Sequence, residues 1–505
     1  MDPRPDQVPL FDAAGARAAD AHAIDVLGIA GLALMQAAAG AAARVVLGRF
    51  PHARRVAVAA GPGLNGGDGC EVARLLHAAG RDVRVLRVAG RPPEGDAASA
   101  LAGALAAGVA VGEMPDGAIA DALAGCDLVV DALLGTGSAG APRDGVAAAI
   151  ACIAGSGLPV VALDVPSGVD ASTGEAPGAA VAADCTVAFH CAKLGLHVRP
   201  GHDLAGDVVV APIGIPDGGP ARPAAVGLRD LGALVPARSA AGSKYAAGSV
   251  LVVGGSVGMA GAPALAAAAA LRAGAGVATV LAPAAAQPAV AGFLREAMVH
   301  PLPGADPGSA IAEHAERAAA LVVGPGLGRA SAAGDVVRAA LRVDLPAVVD
   351  ADALWWAAHE PELLLRRNAP TVVTPHAGEA ARLLGSAADE IEAHRLRSVR
   401  ALVAATRATV LLKGRDTLVL DPEGRLGVRL DACAGLATAG SGDVLAGVVG
   451  ACLARGADPW TAAAAAAAAH VRAGRSAEAA RRGGAIIAGD LIEHLPLLGR
   501  PGSTL

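Results

Sequence analysis

Short runs of β-branched residues recur between long alanine-rich stretches, and this alternation organises the whole chain. In the first half the runs are Val56–Ala60, Val83–Val88, Leu128–Leu134, Val160–Val165 and Val208–Val210. Each is too short for a helix and apolar enough for a strand buried on both faces, and the segments between them have room for crossover helices. That pattern predicts a parallel α/β sheet. After Ile213-Gly214-Ile215-Pro216 the stretch Asp217-Gly218-Gly219-Pro220-Ala221-Arg222-Pro223 carries too many breakers for either element. A boundary is expected there, giving domains of residues 1–218 and 219–505. The same rhythm resumes with Val250–Val253, Val277–Leu281, Leu321–Val323, Ala347–Val349, Thr371–Val373 and Val410–Leu412. No motif of the first half recurs in the second, so two unlike α/β domains are joined. The run Ala462–Ala469 reads as a helix packed closely on its neighbours.

Composition narrows the class. The hydrophobic fraction is 54%, but alanine supplies much of it, aromatic residues make up 2%, and charges are spread along the 505 residues. The most lipid-like stretch, Leu27–Gly48, is interrupted by Gln36 and Arg44, so no membrane partner is expected. No basic segment leads into an apolar run at Met1-Asp2-Pro3-Arg4-Pro5-Asp6, and a cytoplasmic location follows as the expectation. Cys70, Cys126, Cys152, Cys185, Cys191, Cys433 and Cys452 form an odd set without a CxxC pair, which argues for reduced thiols rather than disulfides or zinc. The net charge of −6, with no basic cluster, offers nothing to neutralise a nucleic-acid backbone. Small molecules are the expected partners, and a homo-oligomer the expected assembly.

In the second half several glycine-marked turns follow strand-like runs, where ligands of parallel sheets bind. The most informative is Gly435-Leu436-Ala437-Thr438-Ala439-Gly440-Ser441-Gly442-Asp443, opening a helix that continues through Val449. Free amides at a helix start attract phosphate, and an aspartate beside them can take the proton of a hydroxyl that attacks phosphorus. A capped helix with no ligand would look the same locally. Lys413-Gly414-Arg415-Asp416-Thr417 forms a turn between two strands, able to hold a nucleotide or simply to close a hairpin. Thr374-Pro375-His376-Ala377-Gly378-Glu379, Gly324-Pro325-Gly326-Leu327-Gly328 and Asp350-Ala351-Asp352 close further strands, offering a polar ligand, close backbone approach and carboxylates in turn. Lys244, Gly248 and the glycine loop through Gly261-Ala262 frame the first strand of this half.

In the first half, strand Val56–Ala60 runs into Gly61-Pro62-Gly63-Leu64-Asn65-Gly66-Gly67-Asp68-Gly69, again a collection of amides where strand meets helix. Its spacing is neither a Walker loop nor a plain dinucleotide fingerprint. Two other strand ends, Val130-Asp131-Ala132-Leu133-Leu134-Gly135-Thr136-Gly137 and Leu163-Asp164-Val165-Pro166-Ser167-Gly168, add oxygen donors suited to a hard cation. Singly, each of these residues is as well explained by satisfying a turn.

As sets, the motifs carry resemblances. Lys244 to Leu495 resembles the ribokinase-like superfamily and, within it, the ADP-dependent NAD(P)H-hydrate dehydratases. The resemblance implies a ribokinase-like α/β domain in which ADP with Mg2+ phosphorylates the hydroxyl of the (S)-hydrate, and loss of phosphate restores the dihydropyridine, leaving AMP. It implies Asp443 as the base. Lys413, Gly414, Arg415, Asp416, Thr417 and Gly442 would contact the nucleotide, and Ala262, Gly328, His376 and Asp443 the hydrate. Asp20 to Pro216 resembles the NAD(P)H-hydrate epimerases, which implies a Rossmann-like three-layer domain that interconverts the R and S forms of NADHX and NADPHX. That resemblance places a potassium ion near Asn65, Asp131 and Ser167. It places the hydrate against Leu64-Asn65-Gly66-Gly67-Asp68, Gly135-Thr136-Gly137-Ser138-Ala139-Gly140-Ala141 and Asp164, with Asp164 as acid/base. Thr186-Val187-Ala188-Phe189, Lys193, Gly195-Leu196 and Gly206-Asp207-Val208 also fit this family. Leu64 stands where it usually shows a second asparagine, Leu194 where it shows proline, and Gln36-Ala37 where it shows an acidic-then-amide pair. One alternative stays open: a vitamin-precursor kinase of the same superfamily, using Asp443 alike but releasing a phosphorylated alcohol, joined to a non-catalytic binding module.

Overall fold

The computed structural model describes residues 7–88, 91–114, 119–216, 219–229, 234–237, 243–496 and 498–499. The chain divides into two compact units, Pro9–Ala225 and one centred on Val226–Leu505. Within the breaker stretch that suggested a boundary, Asp217 and Gly218 lie outside the described residues.

The first unit is built on seven parallel strands lying in the order Ala110–Met114, Asp82–Val88, Arg55–Ala60, Leu128–Ala132, Val160–Leu163, Cys185–Phe189 and Asp207–Ala211. Strand order reverses between Arg55–Ala60 and Leu128–Ala132, which run in register to end together at Ala60 and Ala132. The loops that leave them diverge to opposite faces and open a crevice, the position where such sheets bind ligands. Two strands stop short of their apolar runs. Beyond Ala132, the amide of Leu133 donates to the Asp131 carboxylate and that of Leu134 to the Ser167 hydroxyl, so neither continues a ladder. Beyond Leu163, Asp164 turns to φ +66°, which ends the extended backbone. Helix Gly31–Arg49 is the one described helix long and apolar enough to cross a membrane, yet its face of Leu34, Met35, Ala38, Ala42 and Val46 fills the core of this unit.

The second unit aligns Met298–Leu302, Val277–Pro283, Ser249–Val253, Ala320–Val323, Ala347–Val349, Thr371–Val373 and Thr409–Leu412 in parallel. Antiparallel strands Leu418–Leu420 and Leu426–Arg429 follow, and Ala225–Leu228 lies parallel to the last. The ends of Val253 and Val323 again share a level, with a glycine loop leaving each. Helix Ser441–Ala454, longer than expected, is buried almost throughout. A Cβ on its Gly447 would lie 2.1 Å from the Ala266 carbonyl oxygen, so glycine is what lets helix Gly261–Arg272 approach this closely. The alanine run is part of helix Pro459–Ala480, capped by Asp458 and buried from Ala462 to Ala469. Each methyl group there contributes roughly 0.8 kcal/mol of burial, and the small side chains allow the close packing that supplies the rest.

Candidate active sites

In the first unit a cavity of about 540 Å³ opens at the point where strand order reverses. Its wall includes Leu64, Asn65, Asp68, Gly135, Thr136, Gly137, Ser138 and Asp164, eight of the residues singled out from sequence. Gly66 and Gly67 are buried and do not reach it, nor do Ala139, Gly140 and Ala141. Leu64 begins helix Leu64–Ala78 with its side chain 65% exposed.

Asp164 is held from two sides. Lys193 Nζ lies 2.6 Å from its Oδ1, and the Thr136 amide donates to its Oδ2 at 2.9 Å. Burial pushes its carboxyl up, but Lys193 and the Thr136 contacts outweigh burial and leave it below the ordinary carboxylate value. Lys193 is itself buried and also donates to the Phe189 carbonyl at 2.5 Å. Asp68 sits in the opposite condition: burial first, then Asp164 and Asp20, push it well above its ordinary value. One cavity thus holds a carboxylate whose ionised form a lysine favours and a second carboxyl whose ionised form burial and its acidic neighbours disfavour, a division suited to acid–base chemistry. Asp20, on helix Ala13–Asp25, also lines the cavity and is raised by burial. Sequence reasoning missed it, for its only local sign is an acid on the helix face next to buried Ala16, Ala19 and Ala23.

Behind this wall, fully buried Asp131 accepts from the Ser167 hydroxyl at 2.6 Å, the Ser167 amide at 2.8 Å and the Leu133 amide at 3.2 Å. Burial, offset by Ser167, brings its carboxyl up to about 6. Asn65 Nδ2 donates to the carbonyls of Leu134 at 2.8 Å and Leu163 at 3.3 Å, while its Oδ1 is buried without a partner.

In the second unit Asp443 occupies the first turn of helix Ser441–Ala454, entered through Gly440 at φ +83°. Burial, then Asp350, raises its carboxyl to about 7, with Lys413 opposing. Lys413 Nζ is 2.9 Å from Asp350 Oδ1 and 3.6 Å from Glu379 Oε2, and the Thr374 hydroxyl donates to the same Asp350 oxygen at 2.7 Å. A Cβ on Gly442 would stand 3.4 Å from Lys413 Nζ, so the lysine lies beside the helix-opening turn. The turn Lys413–Thr417 is held from behind by two buried arginines. Arg395, with a fully buried side chain, pairs with Asp416 at 2.9 Å. Arg429 donates to the carbonyls of Gly414 at 3.3 Å and Arg415 at 2.7 Å. The Asp416 carboxylate therefore points inward, Thr417 donates to the Gly414 carbonyl, and Gly414 and Arg415 are the exposed members of the turn.

His376 caps helix Ala377–Leu384, its Nδ1 accepting from the amides of Gly378 at 3.0 Å and Glu379 at 3.3 Å, and its ring is 59% exposed. Nε2 lies 3.6 Å from Glu379 Oε1. Gly328, at φ +80°, donates its amide to Asp352 at 2.8 Å, and Ala262 stands in the first turn of helix Gly261–Arg272. Ser441, part of the turn named from sequence, has its hydroxyl 3.1 Å from Nε2 of buried His470, a partner sequence reasoning missed, which burial keeps neutral by lowering it to about 4.

A parallel-sheet domain with a desolvated aspartate at a helix-opening glycine turn and a lysine held by carboxylates is a ribokinase-like phosphoryl-transfer domain. With it comes a Rossmann-like unit whose cavity is equipped for acid–base work. The family model described as NAD(P)H-hydrate dehydratase matches residues 250–497, and that described as YjeF-related protein N-terminus matches residues 31–195. A bifunctional NAD(P)H-hydrate repair enzyme of Moorella thermoacetica is 41% identical over 88% of this chain and 87% of its own. One of Pyrobaculum aerophilum is 40% identical over 93% and 94%. An ADP/ATP-dependent NAD(P)H-hydrate dehydratase from Bacillus subtilis, co-crystallised with ATP and Mg2+, is 27% identical, with a TM-score of 0.46 over 53% of this chain and 96% of that one. The chain belongs to the bifunctional NAD(P)H-hydrate repair enzymes, which join an epimerase to a dehydratase. The vitamin-precursor kinase with a silent first half gives way to this assignment.

Proposed function

We propose that the two activities are divided between Asp164 and Asp443. In the second unit, Asp443 takes the proton of the hydroxyl on the (S)-hydrate as that oxygen attacks the terminal phosphorus of ADP, and AMP leaves. The amides at Gly440–Gly442 and the Lys413 ammonium lie where charge gathers on the transferring group. Gly414 and Arg415 receive the nucleotide, with Lys413, Asp416 and Thr417 shaping that turn, and His376, Gly328 and Ala262 receive the hydrate. Expulsion of the new phosphate, with loss of a proton from the neighbouring ring carbon, then forms the double bond and restores the dihydropyridine. Among the described residues no three acids gather to hold a metal ion, and Asp350 and Glu379 are engaged by Lys413, so Mg2+ would arrive with the nucleotide, where it would supply neutralisation of phosphate charge. The observation that carries this reading is the placement of a desolvated Asp443 at a helix start beside Lys413.

In the first unit, the ionised Asp164, steadied by Lys193, takes the proton of the hydrate hydroxyl as the ring C–N bond opens, leaving an aldehyde while the nitrogen takes up a proton; reclosure on the other face of the carbonyl, with the protons returned, interconverts the R and S forms without nucleotide. The surroundings of Asn65 fit a potassium ion. Its buried Oδ1 has no partner, and its Nδ2 lies between two carbonyls, so turning the amide over brings three oxygens together near Ser167. Asp131 anchors Ser167 in that arrangement.

The test is a hydrate assay with ADP, with ATP and with neither, each in sodium and in potassium buffer. ADP should restore dihydronicotinamide absorbance, and potassium alone should speed equilibration of R and S. Restoration at full rate without nucleotide would overturn the phosphorylation step.

A further inference from the structure

Acidic side chains outnumber basic ones in the epimerase cavity. Asp20, Asp68, Asp96 and Asp164 line it, against Arg17 and Lys193. Lys193 is committed to Asp164 and the Phe189 carbonyl. Yet the substrate of this family is a dinucleotide whose diphosphate is itself anionic, and a like-charged ligand is repelled unless a cation meets it. Arg17 is exposed on the cavity wall, and its guanidinium makes no hydrogen bond or ion pair with any described residue.

The helix sets the spacing. Ala16, Arg17, Asp20 and Ile24 all line the cavity, so one stripe of helix Ala13–Asp25 forms this wall. Arg17 stands roughly 5 Å along the axis from Asp20, just under one turn. Asp20 in turn lies close enough to Lys193 and Asp164 for both charges to act on its carboxyl. A ligand with its ring at Asp164 and its tail along this helix would pass Asp20 before it met Arg17. In a nicotinamide dinucleotide one ribose separates the ring from the first phosphate, a span of the same order.

We propose that Arg17 receives the diphosphate of the dinucleotide hydrate, anchoring it at the exposed rim while the hydrated ring occupies the interior beside Asp164. A guanidinium suits this task because its fixed fork meets two phosphate oxygens at once, whereas an ammonium acts as a point charge. The assignment rests on the epimerase reading of this cavity and adds the part of the substrate that reading leaves unheld.

The experiment compares Arg17→Gln and Arg17→Lys with the unaltered full chain, following initial epimerisation of R hydrates without nucleotide. Two substrates are used: the hydrate of NADH, and the hydrate of reduced nicotinamide riboside, which has no phosphate. The unaltered chain should favour the dinucleotide. Arg17→Gln should raise KM for the dinucleotide about 10- to 100-fold, the worth of a charge-assisted contact, with the loss in KM rather than kcat. The preference for dinucleotide over riboside should then fall toward one, and Arg17→Lys should recover part of it. A loss of equal factor on both substrates, or an unchanged KM, overturns the proposal. Failure of the unaltered chain to epimerise either substrate overturns the epimerase reading instead, and the role of Arg17 with it.

Discussion

Replacing Asp443 by asparagine keeps the shape of the side chain and removes its charge, and the structure predicts consequences of opposite sign for activity and stability. The carboxyl stands at about 7 in the folded protein against an ordinary 3.8, because burial and then Asp350 disfavour its ionised form. A raised value means that the folded state holds the proton longer than the unfolded chain. Stability is therefore lost as pH climbs from about 4, and the loss is complete above about 7. At 1.36 kcal/mol per pH unit the full difference is about 4 kcal/mol, an upper figure since water reaches part of the side chain. Asparagine escapes this loss, so denaturant unfolding without nucleotide should show Asp443→Asn matching the unaltered chain near pH 4 and exceeding it progressively up to pH 7. Activity should move the other way. Loss of a positioned base lowers kcat by about 10²- to 10⁴-fold, measured as dihydronicotinamide regained from (S)-NADHX and ADP. In the unaltered chain kcat/KM should rise with pH through about 7, and in the variant that limb should vanish. A variant that dehydrates at the original rate refutes the role of base. One that loses activity without any pH-dependent gain in stability refutes the desolvated environment from which that role is argued.

Asp164→Asn should abolish equilibration of R and S, read by chiral chromatography, while ADP-driven consumption of pure S hydrate continues, since the dehydratase residues lie in the other unit. Gly442→Ala places a methyl group 3.4 Å from Lys413 Nζ, at the turn proposed to receive the nucleotide. It should raise KM for ADP about 10-fold while helix propensity adds up to about 1 kcal/mol of stability, a pairing that thermal melts and steady-state kinetics separate. Arg395→Met strands the buried Asp416 carboxylate and should destabilise the chain by about 3–5 kcal/mol in denaturant titrations; Arg395→Met with Asp416→Leu should recover most of it.

The central strands were legible because their β-branched runs are continuous. Ala110–Met114, Met298–Leu302 and Ala225–Leu228 were not, for each carries alanine, glycine, proline or charge within a few residues and is set by its place beside a neighbour. The overrun at Leu134 and Val165 has a different source. Hydropathy continues through both segments, but the amides of Leu133 and Leu134 turn to Asp131 and Ser167, and Asp164 adopts φ +66°, none of which an apolar run encodes. The glycine turns of both sites were legible as contiguous motifs. The groups that govern their chemistry at a distance were harder to assign. Lys193 was noted only as fitting a family, although it lies against Asp164 from 29 positions away. Arg395 and Arg429 fix the Lys413–Thr417 turn from helix Arg395–Thr406 and strand Leu426–Arg429, and no local pattern marks either.

The two aspartates assigned to chemistry are buried to opposite effect. Asp164 touches a lysine that has no nearer acid, so its charge is stabilised despite burial and is present near neutrality without substrate. Asp443 shares its lysine with Asp350 and Glu379, so the same kind of cation is largely spent before reaching it. The difference matches what each unit does. Epimerisation is reversible and consumes nothing, and a base that is always ionised serves it in both directions. Dehydration spends a nucleotide, and its carboxyl, raised to about 7, is ionised only in part near neutrality. On the roles proposed for Asp164 and Asp443, the placement of two acids around Lys413, against one on Lys193, would separate a standing base from a conditional one.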